Sequence, residues 1–182
     1  MHVYIVRSAE PGCEPTCAEW IAAQGRIDAG SIGKFKKVLK QLGKNKLPVF
    51  IDSSGGTVDG GLAIGRLIRA NGLDVAVSKT EFAVCAPNDP ACRKAKSKGV
   101  MSGLPKSQLS KCASACVFVL AGGTRRLASE RTFVGVHQFT SYRSKVLRTY
   151  RIEPPKLWGG PARPRKILIS EKFISGKTVQ TP

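Results

Sequence analysis

The segment from residue 31 to residue 77 constrains the fold most, because two amphipathic helical patterns alternate there with short apolar runs. In the first pattern, for which Ser31 is the expected N-cap, apolar side chains recur every three or four residues and lysines occupy the opposite face. The apolar run at residues 47–51 is bounded by glycine turns, as is typical of a buried parallel strand. Thr57 is placed to cap the second helix, which Asn71 and Gly72 are expected to end, and residues 73–77 form another apolar run. This order predicts an α/β layer with right-handed crossovers.

The rest of the chain gives shorter elements. They are, in chain order, a strand at residues 3–6, a helical turn near Trp20, a strand around Arg26 and Ile27, a buried helix at 113–123, and strands at 125–127 and 133–136. Residues 79–111 contain prolines, a cysteine pair and four basic residues between 93 and 98, which predicts a basic surface insertion. Residues 140–182 are rich in proline and basic residues, which predicts an irregular basic tail. The compact domain is therefore expected to span residues 1–139.

The charge of the chain is strongly positive, with a formal net value of +18. Residues 81–182 hold 19 lysines and arginines against 5 acidic residues. Such a field favours anionic partners, so contact with an anionic surface or membrane is one expectation and an ordinary solvated basic face is the other. Nucleic acid is not favoured, because zinc-finger spacing and an aromatic RNP-type strand are absent and aromatic residues make up only 7%. No apolar run approaches the 18 residues of a membrane span.

The six cysteines fall into three close pairs: Cys13 and Cys17, Cys85 and Cys92, Cys112 and Cys116. Local pairs in an even number predict disulfides and an oxidising compartment. Their spacing does not match a zinc site, so no metal is expected. A bridge from Cys85 to Cys92 is favoured most. Cys112 and Cys116 would be poorly placed for bridging if both lay in one helix, and buried free thiols are then the expectation.

The residues best suited to chemistry form an acyl-transfer set. Ser114 lies at the start of the predicted buried helix, where the backbone N–H of Ala115 is placed to donate to a developing oxyanion. Gly55 and Gly56 follow a buried strand and allow a second N–H to approach closely. The chain has only two histidines, and the other is its second residue, so His137 is the candidate base.

These motifs resemble the ClpP-like branch of the ClpP/crotonase superfamily, which includes serine peptidases. IDSSGGTVDGGLAIGRLI at residues 51–68 resembles its strand, serine-glycine-glycine turn and helix. ASACVFVLAGG at 113–123 resembles the alanine-serine step that heads a buried helix in that family. RRLASERTFVGVHQ at 125–138 resembles the basic strand pair that leads to the family's catalytic histidine. The likeness covers residues 24–139.

The resemblance implies a spiral of repeated β-β-α units followed here by the basic tail. It also implies a serine peptidase or hydrolase that works through an acyl-enzyme on a peptide or protein substrate, without a cofactor. Ser114 would be the nucleophile, His137 the general base, and Gly55 and Ala115 the oxyanion donors. The resemblance leaves open whether the protein forms a homo-oligomer. The opening at residues 11–27 resembles exported, cysteine-containing bacterial proteins of this type, which implies a periplasmic or exported setting. The cytoplasm is the alternative, because this chain carries no signal.

The chain departs from the family in its third catalytic group. That group is an acidic residue well after the histidine, and here only Glu153 and Glu171 follow His137. Glu153 is the candidate acid, and an enzyme with only a serine-histidine pair is an alternative. Two further alternatives are a catalytically degenerate ClpP-like binding protein with a basic surface, and a crotonase-type acyl-CoA enzyme.

Overall fold

The computed structural model describes residues 1–83 and 100–137 of the 182-residue chain. The expected Cys85–Cys92 bridge, the candidate acid Glu153 and the basic tail at 140–182 lie outside the described residues. Within them the fold is mixed α/β, with a mostly sheet core and few helices.

Nine strands and three helices make up the described fold. The strands are β1 (His2–Ser8), β2 (Glu19–Gln24), β3 (Val49–Asp52), β4 (Val75–Val77), β5 (Lys79–Phe82), β6 (Val100–Lys106), β7 (Lys111–Ala113), β8 (Arg126–Leu127) and β9 (Phe133–Gly135). The helices are α1 (Ser31–Leu42), α2 (Val58–Ala70) and α3 (Cys116–Gly122). Seven strands form one sheet in the order β5-β6-β1-β2-β3-β4-β8, and β7 and β9 form a second, two-stranded sheet.

The predicted alternation of strands and helices is confirmed in the middle of the main sheet. Strands β2, β3, β4 and β8 are parallel, and α1 and α2 connect the first three of them. Parallel neighbours need such crossover connections, which place helices over a face of the sheet. Strand β1 is antiparallel to β2, and β5 is antiparallel to β6. The carboxyl ends of β2, β3 and β4 therefore lie along one edge, where the turn into α2 begins.

The core lies on both faces of the main sheet. On the helix side, β-strand residues such as Ile51 and Val75 pack with Phe35 of α1, Ile64 of α2 and Val119 of α3. A smaller cluster fills the other face and consists of Val6, Trp20, Ala22, Phe50 and Met101. The central strands are thus apolar on both sides, as continuous apolar runs in parallel strands predict.

The two amphipathic helices predicted between residues 31 and 70 are confirmed, with a small change at the start of the first. Helix α1 begins at Ser31 and Gly30 is its N-cap, so the capping residue lies one position earlier than expected. The Ser31 hydroxyl instead donates to Asp28 Oδ1 at 2.8 Å, just before the helix. Helix α2 has Thr57 as its N-cap and Asn71 as its C-cap, as predicted.

The helical turn predicted near Trp20 is wrong. Trp20 lies in strand β2, is 2% exposed, and stacks on Phe50 with ring centroids 5.3 Å apart. Its indole N–H donates to Thr80 Oγ1 at 2.9 Å, which satisfies the buried polar atom. The strand predicted around Ile27 is reduced to a single bridge between Ile27 and Gly56. The run EWIAAQ is buried on both faces, so it lacks the alternation that identifies a strand.

The predicted insertion at residues 79–111 contributes to the main sheet at both of its ends. Strand β5 begins at Lys79, and β6 pairs with β5 on one side and with β1 on the other. The last residue of the insertion, Lys111, is the first residue of β7, which leads directly to Ser114. The ends of this segment are therefore integral to the fold, while residues 84–99 lie outside the part of the chain that the structure describes.

Candidate active site

The turn between β3 and α2 forms one wall of the candidate site. Ser53 is buried, and its hydroxyl accepts the N–H of Gly55 at 3.0 Å. Gly55 and Gly56 have φ values of 101° and 149°, which other residues rarely adopt. A Cβ on Gly55 would lie 2.7 Å from the Cβ of Ser114. The absence of a side chain at Gly55 therefore lets the turn lie directly against Ser114.

Strand β7 is fastened to the end of β3 by Asp52 and Ser53. The Ser53 N–H donates to the carbonyl of Lys111 at 2.7 Å, and the Ala113 N–H donates to the Ser53 carbonyl at 3.0 Å. The Asp52 carboxylate accepts the Lys111 N–H at 2.8 Å. Sequence reasoning missed the role of these two residues in placing Ser114. The signal that could have identified them is their position directly before the glycine pair, at the end of a buried strand.

Ser114 lies at a sharp junction between β7 and α3. Its φ of 56° is in the left-handed region, which is uncommon for a residue other than glycine. Its N–H donates to the Gly135 carbonyl at 2.9 Å, and its own carbonyl accepts the Val117 N–H at 3.0 Å. A sharp turn between a strand and a helix also carries the nucleophilic serine of α/β-hydrolases. The predicted helix therefore begins three residues later than expected, at Cys116.

His137 follows the strand that pairs with β7. In the parallel register Ala113 pairs with Gly135. Ser114 lies one residue beyond this pair on its strand, and His137 lies two residues beyond it on the other strand. Both residues thus follow the same end of the two-stranded sheet. His137 is exposed, and Ser114 is half-buried. The Ser114 hydroxyl makes no hydrogen bond within the described ranges. In enzymes without a bound ligand, the hydrogen bond between a nucleophile and its base is often long.

The three predicted oxyanion donors have different surroundings. Ala115 is 1% exposed, and across residues 1–83 and 100–137 no acceptor receives its N–H. The Gly55 N–H is already donated to Ser53. Gly56 is held against the backbone of Ile27, since the neighbouring Thr57 N–H donates to the Ile27 carbonyl at 3.0 Å. Within residues 1–83 and 100–137 the N–H groups of Ala115 and Gly56 therefore have no acceptor, whereas the N–H of Gly55 is already donated to Ser53.

The expectation of free thiols at Cys112 and Cys116 is wrong, because the two form a disulfide with a Cα–Cα distance of 5.2 Å. The reason is the turn at Ser114. Cys112 lies in β7 and Cys116 begins α3, so the two do not stand a turn apart on one helix. Cys13 and Cys17 are also bonded, with a Cα–Cα distance of 4.7 Å. The general prediction of disulfides between neighbouring cysteines is thus confirmed, and such bonds are typical of an oxidising environment.

Helix α3 is held in place by the glycines of α2. A Cβ on Gly61 would meet the carbonyl oxygen of Ala115, and a Cβ on Gly65 would meet that of Phe118. The backbones of the two helices are therefore in direct contact. This packing fixes the start of α3, and with it Ser114 and Ala115.

Two further features bear on function. In residues 1–83 and 100–137, no group of three histidine, cysteine or acidic residues is suited to a metal. None of the helices in the same ranges is long and apolar enough to cross a membrane.

No family model, curated protein or solved structure matches the chain.

Proposed function

We propose that the chain is a serine hydrolase of the ClpP-like type that cleaves peptides or proteins through an acyl-enzyme. One observation carries the proposal: the left-handed Ser114 stands at a strand-to-helix junction, against Gly55, and the strand paired with that junction leads to His137. A strained, polar residue at such a junction is typical of an active site, because the surrounding contacts must hold it there.

In the proposed reaction the Ser114 Oγ attacks the substrate carbonyl carbon while His137 takes the proton from the Ser114 hydroxyl. The carbonyl oxygen becomes an oxyanion and accepts the Ala115 N–H. His137 then gives the proton to the leaving amine, which leaves an ester on Ser114. Water, deprotonated by His137, attacks the ester and releases the acid and the free serine. The reaction needs no cofactor.

The ClpP/crotonase-like spiral is the finer fold that we propose. It is supported by the parallel β2-β3-β4-β8 order, by the crossover helices and by the glycine turn that enters α2. We also propose an exported or periplasmic setting, which the disulfides at Cys13–Cys17 and Cys112–Cys116 support. Glu153 is the proposed acid partner of His137, and it lies outside the described residues.

A fluorophosphonate probe tests the proposal, because an activated serine displaces its fluoride and becomes phosphonylated, and no known substrate is needed. We expect the natural chain to be labelled, and Ser114→Ala to lose labelling more than about 100-fold. His137→Ala should slow labelling by about 100-fold or more, since it removes the base. Ser102→Ala is the matched control, because Ser102 is an exposed serine on β6. Unchanged labelling of Ser114→Ala would contradict the assignment.

A second candidate function, binding without catalysis, is favoured by the four exposed lysines of α1, namely Lys34, Lys36, Lys37 and Lys40. Residues 29–51 include no acidic side chain to offset them. This reading expects retention on vesicles rich in phosphatidylserine at low salt, with release as salt rises. A protein that no fluorophosphonate labels, but that binds such vesicles, would replace the hydrolase proposal.

A further inference from the structure

The disulfide between Cys112 and Cys116 encloses Ser114 at its centre. Cys112 is the middle residue of β7 and Cys116 is the first residue of α3. Both are 0% exposed, so the bond lies beneath the turn and Ser114 above it is half-buried. The bond joins the two elements that meet at Ser114, and therefore bears on its position.

The turn needs such support, because Ser114 is held in a conformation that serine does not favour. Ser114 and Leu109 are the non-glycine residues with positive φ in the described part of the chain. Hydrogen bonds from Ser114 to Gly135 and from Val117 to Ser114 fix the turn from outside. A closed ring of five residues prevents the chain from extending at its centre, since extension would carry Cys112 and Cys116 apart.

We propose that Cys112 and Cys116 are positioning residues of the hydrolase, which rests on the function proposed above. Their bond holds the Ser114 hydroxyl and the Ala115 N–H in the arrangement that attack on a carbonyl needs. Neither sulfur touches the substrate. The enzyme is therefore competent in its oxidised form and loses that arrangement when the bond is reduced.

Cys13–Cys17 provides an internal comparison. It has the same sequence separation of 4, but it lies in the segment between β1 and β2, and both cysteines are half-buried. Its loss removes one disulfide of the same loop size without touching the Ser114 turn. A general effect of losing a disulfide would appear when either pair is removed. A positioning effect appears only when the Cys112–Cys116 bond is removed.

The first experiment measures fluorophosphonate labelling of Cys112→Ala/Cys116→Ala and of Cys13→Ala/Cys17→Ala. We expect the first variant to lose about 100-fold in the rate of the covalent step, with the half-saturating probe concentration changed less, because misplacement of reacting groups acts on that step. The second variant should stay within about twofold. Circular dichroism and cooperative urea unfolding establish that each variant is folded.

The second experiment needs no substitution in the turn, so it remains decisive if the first variant fails to fold. In Cys13→Ala/Cys17→Ala/Cys85→Ala/Cys92→Ala, the Cys112–Cys116 pair is the remaining cystine. Dithiothreitol breaks its S–S bond and supplies two electrons and two protons to form two thiols, while the reagent closes to a cyclic disulfide. Labelling should fall about 100-fold when mass spectrometry finds both thiols free, and should return after reoxidation.

The outcomes separate this inference from the proposed function. Labelling at an unchanged rate with both thiols free would overturn the positioning role and leave the hydrolase intact. Equal losses in both double variants would also overturn it, since they would indicate a general effect. A natural chain that no fluorophosphonate labels would remove the proposed function, and the positioning role with it.

Discussion

At the scale of single residues, Ser114 carries the most unusual backbone. A non-glycine residue in the left-handed region costs about 1–2 kcal/mol, and the residue type that removes this cost is glycine. The chain retains a hydroxyl where glycine would be more stable. A stability cost at one residue is a feature that functional sites share, because the group is needed for chemistry.

The first prediction concerns the free energy of unfolding of variants at Ser114. Ser114→Gly should be about 1 kcal/mol more stable than Ser114→Ala, because glycine adopts the φ of 56° without the Cβ clash. Urea unfolding of the two variants measures the difference. Ala63→Gly in helix α2 is the control and should lose about 1 kcal/mol, as glycine does within helices. Equal stability of the two Ser114 variants would contradict the left-handed assignment.

The second prediction concerns the ion pair between Asp74 and Arg125, which joins the start of β4 to β8. Burial alone would raise the pKa of Asp74, but hydrogen bonds from the side chain and backbone of Arg125 outweigh burial and lower it. A lowered pKa in the folded state stabilises the fold above the unfolded pKa of about 3.9, and this stabilisation is lost as pH falls through the folded value.

Asp74→Asn should therefore lower the free energy of unfolding by about 1 kcal/mol at pH 7, a modest loss because the Arg125 side chain is 63% exposed. The difference from the natural chain should shrink below about pH 4. Urea unfolding at pH 7 and pH 3 measures both values. A deficit as large at pH 3 as at pH 7 would exclude ionised Asp74 as its source.

At the scale of elements, the contact between α2 and α3 positions the start of α3. Two glycines of α2, Gly61 and Gly65, lie against the backbone of α3 at Ala115 and Phe118. An added methyl group has no space there, so the cost of overpacking exceeds the helix-forming advantage of alanine. At a helical glycine with open space around it, replacement by alanine stabilises the protein instead.

The third prediction compares two glycine-to-alanine changes. Gly65→Ala should destabilise the protein by about 1–3 kcal/mol, because its Cβ would meet the Phe118 carbonyl oxygen. Gly33→Ala in α1 should stabilise it by about 1 kcal/mol, since no heavy atom lies within 4 Å of an added Cβ. Thermal unfolding of both variants measures the opposite signs. Stabilisation by both changes would contradict the close packing of α2 on α3.

The elements were predictable from sequence where one face is apolar and the other is polar. Helices α1 and α2 meet that condition and were confirmed. Strand β2 does not, because its residues from Trp20 to Ala23 are buried on both faces, and apolar residues in succession look the same in a strand or a helix. The Cys112–Cys116 bond was missed for a related reason: composition extended the helix back to residue 113, and only the Ser114 turn separates the two cysteines into different elements.

At the scale of the whole molecule, the positive charge is the dominant property. The chain carries +18, and such an excess destabilises a compact state through repulsion among its own charges. On α1, three neighbouring lysines, Lys36, Lys37 and Lys40, are exposed together. Dissolved salt screens repulsion between exposed charges over about 10 Å at 0.1 M.

The fourth prediction is that salt stabilises this protein. Raising sodium chloride from about 20 to about 300 mM should raise the unfolding midpoint by a few degrees, the shift that about 1 kcal/mol produces in a domain of this size. Lys36→Gln/Lys37→Gln should reduce that rise, because it removes two neighbouring charges. Thermal unfolding followed by circular dichroism gives the midpoints. A midpoint that falls with added salt would indicate that attractive pairs outweigh the repulsion.

The candidate site was predictable as a set of residues but not as an arrangement. Residue types and chain order pointed to Ser114, Ala115 and His137, because few serines and histidines occupy comparable positions. The contacts that place them depend on residues distant in the sequence. The backbone N–H of Lys111 donates to the Asp52 carboxylate, and the N–H of Ser114 donates to the carbonyl of Gly135. Such pairings follow from the closed tertiary structure, which local patterns do not specify.

The residues that hydrogen-bond around the Ser114 turn are far apart in the sequence, so they are synthesised at different times. Asp52 and Ser53 are made long before Ser114, and Gly135, whose carbonyl accepts the Ser114 N–H, is made 21 residues after it. A nascent chain that ends before Gly135 carries the serine but lacks the partner of its amide. His137 follows two residues later still. A chain that has been synthesised only as far as residue 134 therefore lacks both the hydrogen-bond acceptor of the Ser114 amide and the proposed base of the hydrolase.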